Sequence, residues 1–270
     1  MDEDAIAPVL EHLDRYDPGG VLGVYLYGSA VAGGLRPGSD IDLLMLTRAS
    51  LDPDERSELL AVLLETSGWG GHGARHPEAT RRRPIELTSV VAAETSPWTP
   101  RPREDFQFGE WLRDAFLEGE PSLPREDPDL LVLAATALSA HRVLRGAPLE
   151  EVMAPLPQGR LESALLATIP GLMADLLGDE RNVLLTLARV IVTLRTGEIV
   201  PKDRAARTIA ASLPEPGAAL LEKARRDYLD GRRGDWTDHA QEVRELAEVL
   251  ARTARTAAAP DGPVRGSDQG

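Results

Sequence analysis

Residues 27–42 read Tyr27-Gly28-Ser29-Ala30-Val31-Ala32-Gly33-Gly34-Leu35-Arg36-Pro37-Gly38-Ser39-Asp40-Ile41-Asp42, a Gly-Ser pair followed by two carboxylates one residue apart. Before the Gly-Ser pair runs a β-branched and aromatic stretch, Val21 to Tyr27. A second apolar stretch, Ile41 to Thr47, begins just after Gly38 and Ser39. Both read as strands. Side chains alternate along a strand, so Asp40 and Asp42 project from one face at its start. Two neighbouring carboxylates suit a hard divalent cation such as Mg²⁺, which keeps bridging contacts to substrate phosphates. Gly28 lets backbone approach a phosphate, and Ser29 offers a hydroxyl and an N–H at an expected helix N-terminus.

A lone Asp-x-Asp also occurs on ordinary exposed strands, so context decides its meaning. Here the Gly-Ser precedes it, and Leu43-Leu44-Met45-Leu46 is apolar enough for a central strand covered on both faces. A buried strand that opens with two acids must compensate their charge, and a metal does so. A third strand is expected over Ile85–Val91, where Glu86 shares a face with Thr88. Glu is depleted in strands. If this strand lies beside the one carrying Asp42, Glu86 joins the carboxylates as a general base for a hydroxyl substrate. The competing role is a third metal ligand.

These residues carry a resemblance. Gly28-Ser29, Asp40 and Asp42 match the signature of polymerase-β-like nucleotidyltransferases, and the stretch from Tyr25 to Leu44 resembles the streptomycin/spectinomycin adenylyltransferases, aminoglycoside 3″/9-O-nucleotidyltransferases. Phe106–Trp111, Gly178–Arg189 and Gly197–Asp203 look like blocks of the same family in the same order, so the likeness spans roughly residues 20 to 230. It implies an α+β chain: a mixed-sheet nucleotidyltransferase domain followed by an all-α helical-bundle domain. It also implies Mg²⁺, as a pair of ions, and ATP as co-substrate.

Composition agrees. The chain has 270 residues, 42% of them hydrophobic, enough for one large or two ordinary domains. With no cysteine there is neither a disulfide framework nor a thiolate metal site. No stretch approaches the ~20 apolar residues of a membrane span, and the N-terminus, Met-Asp-Glu-Asp, is acidic where a signal peptide is basic. A cytoplasmic protein is expected, without membrane partners. A net charge of −14 argues against a nucleic-acid substrate and suits a cationic small molecule, although acidity can also serve solubility alone.

Along the chain, Asp52-Pro53 opens a helix as N-cap and first helical residue. Asp127-Pro128-Asp129 is expected to cap a long apolar helix running to about Arg145 and stopped by Gly146. Pro155, Pro157 and Gly159 mark a linker. Helices are then expected over about 160–168, 179–196, 202–212, 215–230 and 236–256. The domains read as 1–155 (nucleotidyl transfer) and 156–257 (helical), with a polar, breaker-rich, disordered tail over 258–270. A monomer is expected.

The remaining candidates come largely from the resemblance. Of the 30 basic residues only Lys202 and Lys223 are lysine, so a lysine kept at 202 suits a phosphate, and the family's phosphate-binding lysine aligns there. The plain alternative is a solvated helix-start lysine beside Asp203. Tyr228 aligns with a nucleotide-contacting tyrosine, although taken alone it reads as a core aromatic. Asp129 aligns with an ATP contact and could be only a helix cap; Ser39 aligns with another. A polycationic drug calls for carboxylates and an aromatic platform. Trp111 is the aromatic candidate and Glu110, Asp175, Asp179 and Asn182 the polar ones. The family's drug contacts fall on Trp111, Asp179 and Asn182, and its catalytic base, which also meets the drug, on Glu86. Asp179 has a second role open to it as an N-cap.

One departure bears on substrate. Members that accept streptomycin carry a tryptophan where this chain has Pro170, although the accompanying acid is present as Asp175. Spectinomycin is therefore the favoured acceptor and streptomycin the second. His72 and His76 stand among Gly70, Gly71, Gly73 and Pro77, a loop rather than a metal-binding helix, and Ser139 with His141 reads as helix surface. Two other classes compete with drug adenylylation: nucleotidyl transfer to a protein acceptor, and a nucleotide-binding module without catalysis. The helical half argues against the first. The second is expected to lose an acid among Asp40, Asp42 and Glu86, and all three are present.

Overall fold

The structure, a computed structural model, describes residues 2–31, 39–70 and 75–258. The expected tail, from residue 259 on, and His72 lie outside the described residues. In chain order the first part holds α1 (Asp2–Tyr16), β1 (Val21–Tyr27), β2 (Ile41–Thr47), α2 (Pro53–Thr66), β3 (Ile85–Val91), β4 (Arg103–Glu104), β5 (Phe106–Phe108), α3 (Arg113–Leu117), β6 (Arg125–Glu126), α4 (Asp129–Ser139), β7 (His141–Gly146) and α5 (Leu149–Val152). The second part is helical: α6 (Arg160–Ala174), α7 (Glu180–Thr196), α8 (Lys202–Ala210), α9 (Gly217–Leu229) and α10 (Ala240–Ala257). The chain separates into two compact units, Met1–Leu161 and Glu162–Gly270. A mixed sheet followed by a helical array is the α+β class that the sequence implies.

Local chemistry sets α2. Asp52 accepts hydrogen bonds from the Asp54 and Glu55 amides, each at 2.9 Å, while Glu55 reaches back to the Asp52 amide at 2.8 Å. This reciprocal box, with Pro53 in the first turn, leaves the helix no other place to start. The main sheet has the order β5-β3-β2-β1-β7, with β2 and β3 parallel and every other pair antiparallel. β2 is the central strand, and its alternation divides the core. Ile41, Leu43 and Met45 join α1, α2 and the phenylalanines 106, 108 and 116; Leu44 and Leu46 face the other way, with Tyr25, Val90 and residues of α4 and α5.

The helix expected from Asp129 to Arg145 is a correction. It ends at Ser139, and residues 141–146 turn into β7 along the free edge of β1, with Tyr27 opposite His141 and Gly23 opposite Gly146. An apolar run of this length suits a helix by pattern, but the backbone groups on the outer edge of β1 need partners, and this segment supplies them. Gly146 is no helix stop. Its φ is +80°, and a Cβ there would lie 2.0 Å from the Leu22 carbonyl oxygen, so glycine permits the strand crossing. His141 accordingly sits on a strand, not on a helix surface.

In the second unit α6 runs past its expected end, through Pro170 to Ala174. α7 supplies the centre of the unit: Val183, Leu184, Leu185, Leu187, Ala188, Val190 and Ile191 are buried, and α8, α9 and α10 pack on it. Gly197, in the left-handed region at φ +74°, ends that helix.

Candidate active site

Strand register builds the first part of the site. β2 and β3 run parallel with Asp42 opposite Glu86, so the two carboxylates are side by side on one face, the condition for Glu86 to join the acidic pair. Asp40 stands just before β2, and the pattern of half-buried Asp40, buried Ile41 and half-buried Asp42 matches a common face for the two aspartates. On the other side of β2, Tyr27 pairs with Asp42. The chain then leaves β1 through Gly28, whose φ is +68° and whose missing Cβ would lie 2.1 Å from Asp42 Oδ2. The Gly-Ser pair and the second aspartate therefore touch through space, although separated in sequence. Ser29 lies in a single 3₁₀ turn, Gly28–Ala30, shorter than the expected helix start.

The segment before β2 is tied to the one before β3. The Ile41 amide donates to the Pro84 carbonyl at 2.8 Å, and Arg83 Nη1 donates to the Ser39 carbonyl at 2.9 Å. Pro84 has no N–H for the ladder, and the Arg83 side chain supplies a second cross-link in its place. The Ser39 hydroxyl is buried and finds no hydrogen-bond partner among the described residues. The donor set here is hard oxygen on a glycine-lined backbone, which fits magnesium and phosphate rather than a softer metal. Among the described residues, no group of three or more His, Asp or Glu side chains gathers as a metal cage.

Trp111 is exposed, 58% accessible, in a 3₁₀ turn Glu110–Leu112 that follows β5. Its ring folds back over Gly109, where a Cβ would come within 2.2 Å of it. Glu110 is a correction. It is buried, and both its oxygens are taken: Arg113 donates to Oε2 and Oε1 at 2.9 Å each, and the Ser67 hydroxyl donates to Oε1. A carboxylate so used cannot receive a drug cation.

In the helical unit three candidates form one hydrogen-bonded chain. Lys202 donates to the Asn182 amide oxygen, and the Asn182 amide nitrogen donates to Asp179 Oδ2 at 2.9 Å. Asp179 holds the N-cap position of α7, but no side-chain cap bond forms there, because its carboxylate turns to Asn182 instead. Desolvation pushes the Asp179 carboxyl up, opposed by the Asn182 hydrogen bond and by the Lys202, Arg181 and Arg233 cations. Asp175 is exposed in the turn after α6, and Tyr228 is half-buried on α9. In the first unit, Asp129 is the first residue of α4 rather than its cap; its amide donates to Asp127 Oδ1 at 2.8 Å.

Sequence reasoning missed the buried ion pairs. Arg56 Nη2 meets Asp105 Oδ1 at 2.8 Å, with further bonds to the Leu51 carbonyl and Ser50 hydroxyl, and Arg113 closes the end of α2. The only signal was an arginine at an inward position of a helix whose other inward residues are leucines. His76 pairs with Asp114 at 2.9 Å; with Arg75, it holds that carboxyl below its ordinary range.

The fold and the contact between the Gly-Ser turn and Asp42 define a nucleotidyltransferase of the polymerase-β type, and the polymerase-β nucleotidyltransferase family matches residues 10–68. The aminoglycoside adenylyltransferase C-terminal domain family matches residues 151–253. The chain is 37% identical to a spectinomycin 9-adenylyltransferase of Campylobacter jejuni, covering 86% of this chain and 87% of that one. It is 36% identical to an aminoglycoside (3″)(9) adenylyltransferase of Escherichia coli, covering 91% and 92%. The chain belongs to the aminoglycoside adenylyltransferase family. A crystal structure of a spectinomycin adenyltransferase from Enterococcus faecialis with ATP and spectinomycin superposes with a TM-score of 0.84 at 28% identity, over 93% of this chain and 97% of that one. No helix among the described residues is long and apolar enough to cross a membrane.

Proposed function

We propose that this chain transfers the AMP moiety of ATP to a hydroxyl of spectinomycin, with streptomycin a weaker acceptor, inactivating the drug in the cytoplasm. The observation that carries the reading is the register of Asp42 beside Glu86, which puts a candidate base next to a candidate metal ligand. Residues 1–155 would carry the transfer and residues 156–257 would add acceptor and nucleotide contacts.

Asp40 and Asp42 would hold magnesium, which when bound neutralises triphosphate charge and the departing pyrophosphate. Glu86 accepts the proton of the acceptor hydroxyl as its oxygen bonds to the α-phosphorus. The bond from that phosphorus to the bridging oxygen breaks, and pyrophosphate leaves with the bonding pair. Gly28 and Ser29 bring backbone N–H and hydroxyl groups to the phosphates, and the buried Ser39 hydroxyl supplies one more donor. Lys202 supplies a compact positive charge for phosphate, and Tyr228 and Asp129 contact the nucleotide. Trp111 offers an exposed face to the cationic acceptor, whose ammonium and hydroxyl groups Asp175, Asp179 and Asn182 receive.

Support for spectinomycin over streptomycin comes from Pro170, which stands exposed in α6 where streptomycin acceptors carry tryptophan. Identity to the two kinds of relative, 37% and 36%, does not discriminate. A resistance profile of cells expressing the chain decides it: protection against spectinomycin with little against streptomycin is expected, and protection against neither overturns the reading.

A further inference from the structure

We infer that the buried Glu110, Arg113 and Ser67 form a positioning network that sets the Trp111 platform relative to Glu86. Ser67 follows α2 and is fully buried. Its hydroxyl donates to Glu110 Oε1 and accepts the Ile85 amide at 3.0 Å. One hydroxyl thus joins the residue before Trp111 to the residue before Glu86. Arg113 locks the other side: it grips both Glu110 oxygens and donates to the Leu64 carbonyl at 3.1 Å and the Ser67 carbonyl at 2.9 Å. Those carbonyls belong to the end of α2, where a guanidinium is favoured by the helix dipole.

The set is buried and its polar groups are hydrogen-bonded to one another and to backbone, an arrangement that rigidifies its surroundings. Glu110 is 6% exposed and Arg113 3%, and a charge pair in such a place must satisfy its remaining donors and acceptors to be tolerated. Glu110 does so through the Ser67 hydroxyl, which in turn accepts the amide of the residue before Glu86, and Arg113 does so through the Leu64 and Ser67 carbonyls at the end of α2. Trp111 itself is 58% exposed, and the buried polar bonds fall on the residue that precedes it in the chain. The Gly68 amide, bonded to the Arg83 carbonyl at 3.3 Å, adds a second tie between the end of α2 and the approach to β3. The network rests on the proposed roles of Trp111 and Glu86; helix capping alone would account for Arg113 but not for the bond from Ser67 to Ile85.

The test is Ser67→Ala, which deletes the bridge and leaves the Glu110–Arg113 pair intact, assayed by pyrophosphate release with spectinomycin at saturating ATP. A misplacement of the platform relative to the base is expected to lower kcat/KM for the drug by about 10- to 100-fold while KM for ATP is unchanged. Ser67→Thr, which restores the hydroxyl, should recover most of the loss. Glu110→Gln, which keeps the acceptor for Ser67 but loses the charge facing Arg113, should lower Tm more than it changes KM for the drug. Ser67→Ala with wild-type kinetics and only a lowered Tm overturns the network as a positioning device. Wild-type protein that releases no pyrophosphate with spectinomycin overturns the functional reading instead, so the two failures are distinct.

Discussion

At the scale of single residues, the proposed site rests on one glycine and three carboxylates. Gly28 combines a left-handed φ of +68° with an Asp42 oxygen 2.1 Å from where a Cβ would stand. Gly28→Ala should cost about 1–2 kcal/mol in backbone strain and displace the Asp42 carboxylate as well, so activity should fall further than stability, as comparison of turnover with urea unfolding would show. Glu86→Gln should keep Mg–ATP binding by calorimetry while turnover drops by about 10²–10⁴. Asp42→Asn should instead weaken Mg–ATP binding. Equal, mild effects from both would sink the division of roles. The paired strands were legible in alternation, and so was Glu86 as an acid out of place in a strand. The fate of Glu110 was not, because a carboxylate next to an exposed tryptophan looks like a drug contact until Arg113 and Ser67 are seen to occupy it.

At the scale of elements, β1, β2, β3 and α2 carry their own boundaries. Glycine punctuation, two-residue alternation and a capping box are signals spoken within a few residues. β7 carries none: Ala134 to Arg145 favours a helix by pattern, and only the open edge of β1 makes its last part a strand. The buried Arg56–Asp105 pair has the same character, since α2 and the segment before β5 meet only in the fold. Truncating Arg56 to Ala would leave Asp105 buried without its partner. A loss of about 3–5 kcal/mol is expected, read from the midpoint of urea unfolding with an unchanged slope. A loss below about 1 kcal/mol would show that the pair does not hold this corner.

At the scale of the whole molecule, the candidate site residues fall in both units. The sheet unit has Asp40, Asp42, Glu86 and Trp111; the helical unit has the Lys202–Asn182–Asp179 chain. Removing divalent metal with EDTA should abolish the drug-dependent release of pyrophosphate, and added Mg²⁺ should restore it only with the drug present. Release with Mg–ATP and a protein acceptor but no drug would contradict the assignment. Sequence by itself determined the acidic strand start, the glycine that must precede it, the cap of α2 and the helical second half, because each rests on periodicity or on contacts a few residues apart. Tertiary structure alone decided that Asp42 faces Glu86 in register, that Gly28 lies against Asp42, that 141–146 is a strand and that Glu110 is buried in an ion pair. Those four outcomes depend on backbone partners and buried charges brought together from distant parts of the chain, and no local pattern encodes which partner arrives.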